Sequence, residues 1–141
     1  MVSGTNGEGR LGSLLVIEDD SDLSGMLKEI LTMQGYEVDV VASSSEAFER
    51  IATRAFHAAI LDIQTQDGAS VSVADYLLSH RIPYMFASGV PNPQLPDAHQ
   101  WATFLQKPYS IRELMSALDR TRQIGIPVLA RPCASSSFPL F

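Results

Sequence analysis

Residues 14–20 read LLVIEDD, four apolar side chains followed by three carboxylates. An apolar run this short, without polar alternation, suits a strand buried on both faces. The carboxylates then stand where that strand ends. Residues 58–64, AAILDIQ, repeat the arrangement, with four apolar residues leading into Asp62. Two such strands point to a parallel sheet covered on both sides. In such a sheet ligands gather at the carboxyl ends of the strands, where these acids stand.

The sequence around the two strands completes the pattern. After the first, Leu23, Met26, Leu27, Ile30 and Leu31 recur at three- and four-residue spacing, the mark of a helix with one apolar stripe. Asp20 or Ser21 can cap it, and Gly35 stands where a helix C-terminal glycine would. Residues 38–41 form a second strand. Ser43, Ser44 or Ser45 caps a helix that turns Ala47, Phe48 and Ile51 inward. Beyond Asp62 a third helix spans residues 71–78 and a fourth strand 82–87, entered through Pro83. A fifth strand covers 102–105, and Ser110 caps a last helix with Ile111, Leu114, Met115 and Leu118 on its inner side. Strand and helix alternate with short links, which predicts an α/β three-layer sandwich with right-handed crossovers. Residues 89–101, GVPNPQLPDAHQW, break the rhythm. Their prolines at 91, 93 and 96 exclude a regular helix, so a loop with one or two turns near 96–101 is expected.

Length and composition set the bounds. The 141 residues suit one domain. Hydrophobic residues make up 45%, enough for a core, and charged residues 18%. Ten basic and sixteen acidic side chains give a net charge of −6. With no basic run, the chain is not expected to bind nucleic acid directly. The single cysteine, Cys133, excludes an internal disulfide and a thiolate cluster. Residues 1–12 read as a disordered leader, not a signal peptide. No apolar stretch reaches membrane-spanning length, so a cytoplasmic protein is expected. The expected organisation is leader 1–12, folded domain 13–122 and a C-terminal tail 123–141 without an output domain.

The strand ends carry the chemistry. Glu18, Asp19 and Asp20 follow the first strand, Asp62 the third and Ser88 the fourth, while Lys107 and Pro108 follow the fifth. Each feature alone has an ordinary explanation: first-turn helix acids, a strand-end cap, a turn serine, a loop lysine. Their joint placement at the ends of separate strands is less ordinary. Clustered carboxylates repel unless a cation compensates, and magnesium is the hard, oxygen-seeking ion that suits them. A lysine and a hydroxyl beside them can hold phosphoryl oxygens. The set fits attack by an aspartate on phosphorus, giving an acyl phosphate.

These motifs resemble the receiver domains of bacterial response regulators. LLVIEDD is similar to the family's first strand and acidic pair, AAILDIQ to the strand bearing the phosphorylated aspartate, and IPYMFASG to the fourth strand. FLQKPYSIREL resembles the fifth strand and its turn. The resemblance spans residues 14 to about 122 and implies a flavodoxin-like sheet of order 2-1-3-4-5 with a reduced or irregular fourth helix. It implies that Asp62 accepts the phosphoryl group, assisted by Ser88 and Lys107. Asp19, Asp62, Glu18 and the Gln64 carbonyl would form the Mg2+ site, and the Lys107–Pro108 bond would be cis. Ser88 and Phe104 would be the switch pair, Phe104 lacking a hydroxyl. The phosphoryl donor would be a sensor histidine kinase or a histidine phosphotransferase, with a downstream protein and a homodimer both left open. The only turnover implied is self-catalysed phosphorylation and dephosphorylation. Residues 61–89, with the V-A-D triplet at 73–75, resemble a subgroup of stand-alone receivers.

Two other readings compete. A protein-binding module on the same fold would not use phosphate, but the complete acceptor set argues against it. A flavin or nucleotide enzyme would need a phosphate cradle after the first strand, where three carboxylates stand instead.

Overall fold

The computed structural model describes residues 11–63, 70–89 and 95–124. Its elements follow in the order β1 (Gly12–Ile17), α1 (Ser21–Met33), β2 (Tyr36–Val41), α2 (Ser44–Thr53), β3 (Ala58–Asp62), α3 (Ser70–Ser79) and β4 (Tyr84–Ser88). A 3-10 turn (Asp97–His99), β5 (Thr103–Gln106) and α4 (Ile111–Ile124) complete the chain. The five strands are parallel, in the order 2-1-3-4-5.

Alternating side chains divide the core into two layers, as the pleat requires. Leu14, Val16, Ile60, Met85 and Ala87 face one way and pack beneath α1 and α4, against Leu27, Leu31, Leu114 and Leu118. Leu15, Ile17, Leu61, Tyr84 and Phe86 face the other way, beneath α2 and α3, against Ala47, Val73, Ala74 and Leu77. β1 and β3 are buried along their whole length, as their apolar runs imply.

The helix starts follow from capping chemistry. The Asp20 side chain accepts from the Asp22 and Leu23 N–H groups. Ser43 Oγ accepts from Glu46 N–H, while Glu46 Oε1 accepts from Ala42 N–H. Ser110 and Glu113 cap each other reciprocally, at 3.0 and 2.8 Å. Gly35 follows Gln34, the C-cap of α1, and its φ of 111° suits glycine. Gly12 has a φ of 117°, and a Cβ there would stand 2.8 Å from His57 Cγ. His57 Nδ1 accepts from Ser13 N–H, so β1 enters the sheet against an imidazole that leaves room only for glycine.

The structure shifts several expected boundaries. β1 takes in Gly12, assigned to the leader, and β2 starts two residues early at Tyr36. β4 is displaced toward the C-terminus, so that Ser88 is its last residue, and α4 continues through Gln123 and Ile124, assigned to the tail. Between β4 and β5 the described residues hold only the 3-10 turn, entered through Pro96, as the prolines predict. Cys133 and the remainder of the tail lie outside the described residues.

Candidate functional site

The carboxyl edge of the sheet gathers the side chains from four strand ends. Asp62 is the last residue of β3 and Ser88 the last of β4. Glu18 directly follows β1 and Lys107 directly follows β5. Lys107 lies across the mouth of the sheet and joins the ends of strands far apart in sequence. Its Nζ donates to Glu18 Oε1 at 2.7 Å and to Asp62 Oδ2 at 3.0 Å. The backbone fixes this reach, because Lys107 N–H donates to the Ser88 carbonyl at 2.8 Å. The Lys107–Pro108 peptide is cis.

Glu18 and Asp62 are buried, each 4% exposed, and Ser88 is wholly buried. Both Glu18 oxygens are engaged: Oε1 by Lys107, and Oε2 by the Asp20 N–H at 3.2 Å. Glu18 therefore positions the lysine and the start of α1. Asp19 is exposed at the rim. One carboxylate oxygen each from Glu18, Asp19 and Asp62 can be chosen so that all three lie within 4.8 Å of one another. Three acids against one ammonium leave excess negative charge in a partly dry site. This hard-oxygen donor set fits Mg2+. Gln64, expected to add a carbonyl ligand, lies outside the described residues.

The electrostatics follow from this crowding. Burial raises the Glu18 pKa, and the nearby Asp62 adds to the rise, only partly offset by Lys107 and the Asp20 N–H. Burial alone would lower Lys107, but hydrogen bonds and charge from Glu18 and Asp62 outweigh it and leave the ammonium above its ordinary value. The two partners shift the same way for different reasons: burial dominates at Glu18, whereas the two facing acids dominate at Lys107.

Phe104 lies in β5 beside Phe86 of β4, half-buried against the layer beneath α2 and α3. Two features escaped the sequence reading. Beside Lys107 an apolar groove of about 520 Å3 is lined by Leu23, Met26, Gly89, Pro108 and Tyr109. The Tyr109 hydroxyl is buried with no hydrogen-bond partner among the described residues, and burial raises its pKa. On the opposite layer, Asp75, His99 and Tyr84 form a hydrogen-bonded chain. Nothing in a proline-rich segment announces that its one histidine is buried.

The family model for the response regulator receiver domain matches residues 14–119. The transcriptional regulatory protein CrdR of Helicobacter pylori is 30% identical over 115 residues, which cover 76% of this chain and 53% of CrdR. The chain thus spans about half the length of that relative. The response regulator receiver protein CpdR of Brucella abortus is 27% identical over 113 residues, 76% of this chain and 93% of CpdR. Among solved structures, SdrG of Sphingomonas melonis superposes with a TM-score of 0.65 at 28% identity, covering 76% of this chain and 92% of SdrG. With the sheet order and the strand-end acids already in place, this chain belongs to the response regulator receiver family.

Proposed function

We propose that the chain accepts a phosphoryl group on Asp62 from a phosphohistidine donor and changes conformation in response. The observation that carries this reading is Lys107 Nζ, held 3.0 Å from Asp62 Oδ2 and 2.7 Å from Glu18 Oε1 at the sheet edge. A carboxylate oxygen of Asp62 attacks phosphorus, the phosphorus–nitrogen bond breaks, and the donor imidazole leaves with the bonding pair. The product is an acyl phosphate, whose new oxygens need donors. Lys107 supplies one and the Ser88 hydroxyl, at the end of the neighbouring strand, a second.

Asp19 and Asp62 would hold Mg2+, with the Gln64 carbonyl and Glu18 as the other expected contributors. When bound, the ion neutralises charge developing on the transferred group. Glu18 keeps Lys107 extended toward Asp62 rather than into solvent. The groove lined by Leu23, Met26 and Tyr109 opens beside Lys107 and offers apolar surface to the donor protein. Receiver domains work with histidine kinases or phosphotransfer proteins, and one of these is the proposed partner. Among the described residues no helix is long and apolar enough to cross a membrane.

A small phosphoramidate with Mg2+ should add one phosphoryl group to the chain, read by intact mass. Asp62→Asn should abolish the added mass. Equal labelling of the variant would overturn the assignment.

A further inference from the structure

The second buried polar chain lies away from the phosphorylation site. Asp75 comes from α3, Tyr84 opens β4, and His99 ends the 3-10 turn that stands between β4 and β5. His99 is wholly buried. Its Nδ1 lies 2.6 Å from the Tyr84 hydroxyl and its Nε2 2.6 Å from Asp75 Oδ1. One tautomer satisfies all three groups: the phenol donates to Nδ1, and Nε2–H donates to the carboxylate. Burial, and the Asp75 charge after it, raises the Tyr84 pKa and so keeps the phenol a donor. Trp101 seals the cluster, its ring 5.2 Å from that of Tyr84 and its Nε1–H donating to the Ala98 carbonyl.

We propose that Asp75, His99 and Tyr84 form a latch that ties the β4–β5 connection to α3, and that its closed state opposes the phosphorylated conformation. The proposal rests on the phospho-acceptor reading and names a regulation of that site. Tyr84 and Ser88 are the two ends of one strand, paired to β3 on one side and β5 on the other. His99 is held by two short hydrogen bonds, one to Tyr84 at the far end of β4 and one to Asp75 on α3. A shift of β4 that draws Ser88 toward a phosphoryl group carries Tyr84 with it and works against the triad. The outer member makes this a device rather than ordinary packing. Asp75 has 65% of its side chain exposed, so solvent or a partner on α3 can reach the bond that holds a wholly buried histidine. Any ligand that favours the open state binds more tightly when the closed state is weakened, which sets the sign of the coupling.

Trp101 is the chain's only tryptophan and lies on the latch. The test uses the full chain as wild type, Asp75→Ala and Asp75→Asn. Acrylamide quenching of Trp101 reads the latch without phosphate, and the rate of phosphorylation by a small phosphoramidate with Mg2+ reads the coupling. Asp75→Ala removes the Nε2–H acceptor, so quenching should rise and phosphorylation should quicken by about three- to tenfold. Asp75→Asn retains an acceptor oxygen and should restore both readings toward wild type. Unchanged quenching in Asp75→Ala would overturn the latch. Increased quenching with an unchanged or slower rate would overturn the coupling. A wild-type chain that takes no phosphoryl group would overturn the phospho-acceptor reading itself, and the regulation with it.

Discussion

Among the described residues two largely buried polar clusters stand at the two ends of β4, and they solve the same problem differently. At the carboxyl end, Glu18, Asp62 and Lys107 are ionic, and the acids outnumber the lysine. At the amino end, Tyr84, His99 and Asp75 form a closed chain in which each proton has an acceptor. The second cluster is complete without a ligand. The first carries net negative charge in a site that burial has partly dried, which raises Glu18. A satisfied network holds the fold together, whereas an under-neutralised one is suited to bind a cation and, with it, a phosphoryl group. Changes in the ionic cluster should therefore slow labelling, whereas changes in the neutral one should cost stability without slowing it.

The largest effect should come from the ionic side. Lys107→Ala removes the ammonium that faces both acids. Loss of one charged donor from a transferring group lowers rates by on the order of 100-fold. The variant should be slowed by that factor in phosphoramidate labelling with saturating Mg2+, while its circular dichroism stays that of the folded chain. A loss of less than fivefold would mean that Lys107 is a structural tether rather than a donor to the phosphoryl group.

For Tyr84→Phe the loss is expected in stability rather than in labelling. The ring stays, but His99 Nδ1 loses its donor in a site with no exposure. An unpaired buried polar atom costs about 1–3 kcal/mol. Urea unfolding should show that loss in the midpoint with the slope unchanged. An unaltered midpoint would mean that water or a shifted side chain replaces the phenol, and the contrast between the clusters would weaken.

The two clusters also differed in how far the sequence disclosed them. The first was legible because a parallel sheet brings strand ends together by rule, so apolar runs ending at Glu18, Asp62, Ser88 and Lys107 converge whatever the details. The parallel sheet covered on both faces followed from the same strand–helix alternation, whereas the sheet order followed from the resemblance to receiver domains. The prolines at 91, 93 and 96 likewise pointed to the irregular stretch between β4 and β5, where the described residues hold only a 3-10 turn. The second cluster was not legible. Asp75 is an exposed helix residue, Tyr84 reads as another apolar strand residue, and His99 sits in a segment with no periodicity. Their meeting depends on where a 3-10 turn folds back, which no local pattern encodes. Boundaries were off by one or two residues for a related reason. Gly12 belongs to β1 because His57, 45 positions on, packs against it, and Gln123 and Ile124 continue α4 because nothing local stops the helix there.

The smallest effect separates the clusters by pH. Glu18 has its folded pKa raised above the ordinary 4.5, with burial the largest cause. An acid raised in the folded state keeps its proton longer there than in the unfolded chain. Its contribution to stability is present at low pH and is lost as pH climbs from about 4.5 through the raised value. Lys107 is also raised, so its linkage has the same sign in a different window: it contributes stability below its unfolded pKa and loses it only at strongly alkaline pH. In the window just above 4.5 the ionic cluster should therefore lose stability through Glu18 alone. Glu18→Gln cannot ionise, yet its carbonyl oxygen can still accept from Lys107. Without Mg2+ the variant and wild type should match in stability near pH 4. By pH 7 the variant should be the more stable, because only wild type then carries a buried charge there. Urea midpoints at the two pH values decide it. A variant less stable than wild type at pH 7 would mean that the Glu18–Lys107 bond is worth more than the burial of its charge, and that the ionic cluster is as self-sufficient as the neutral one.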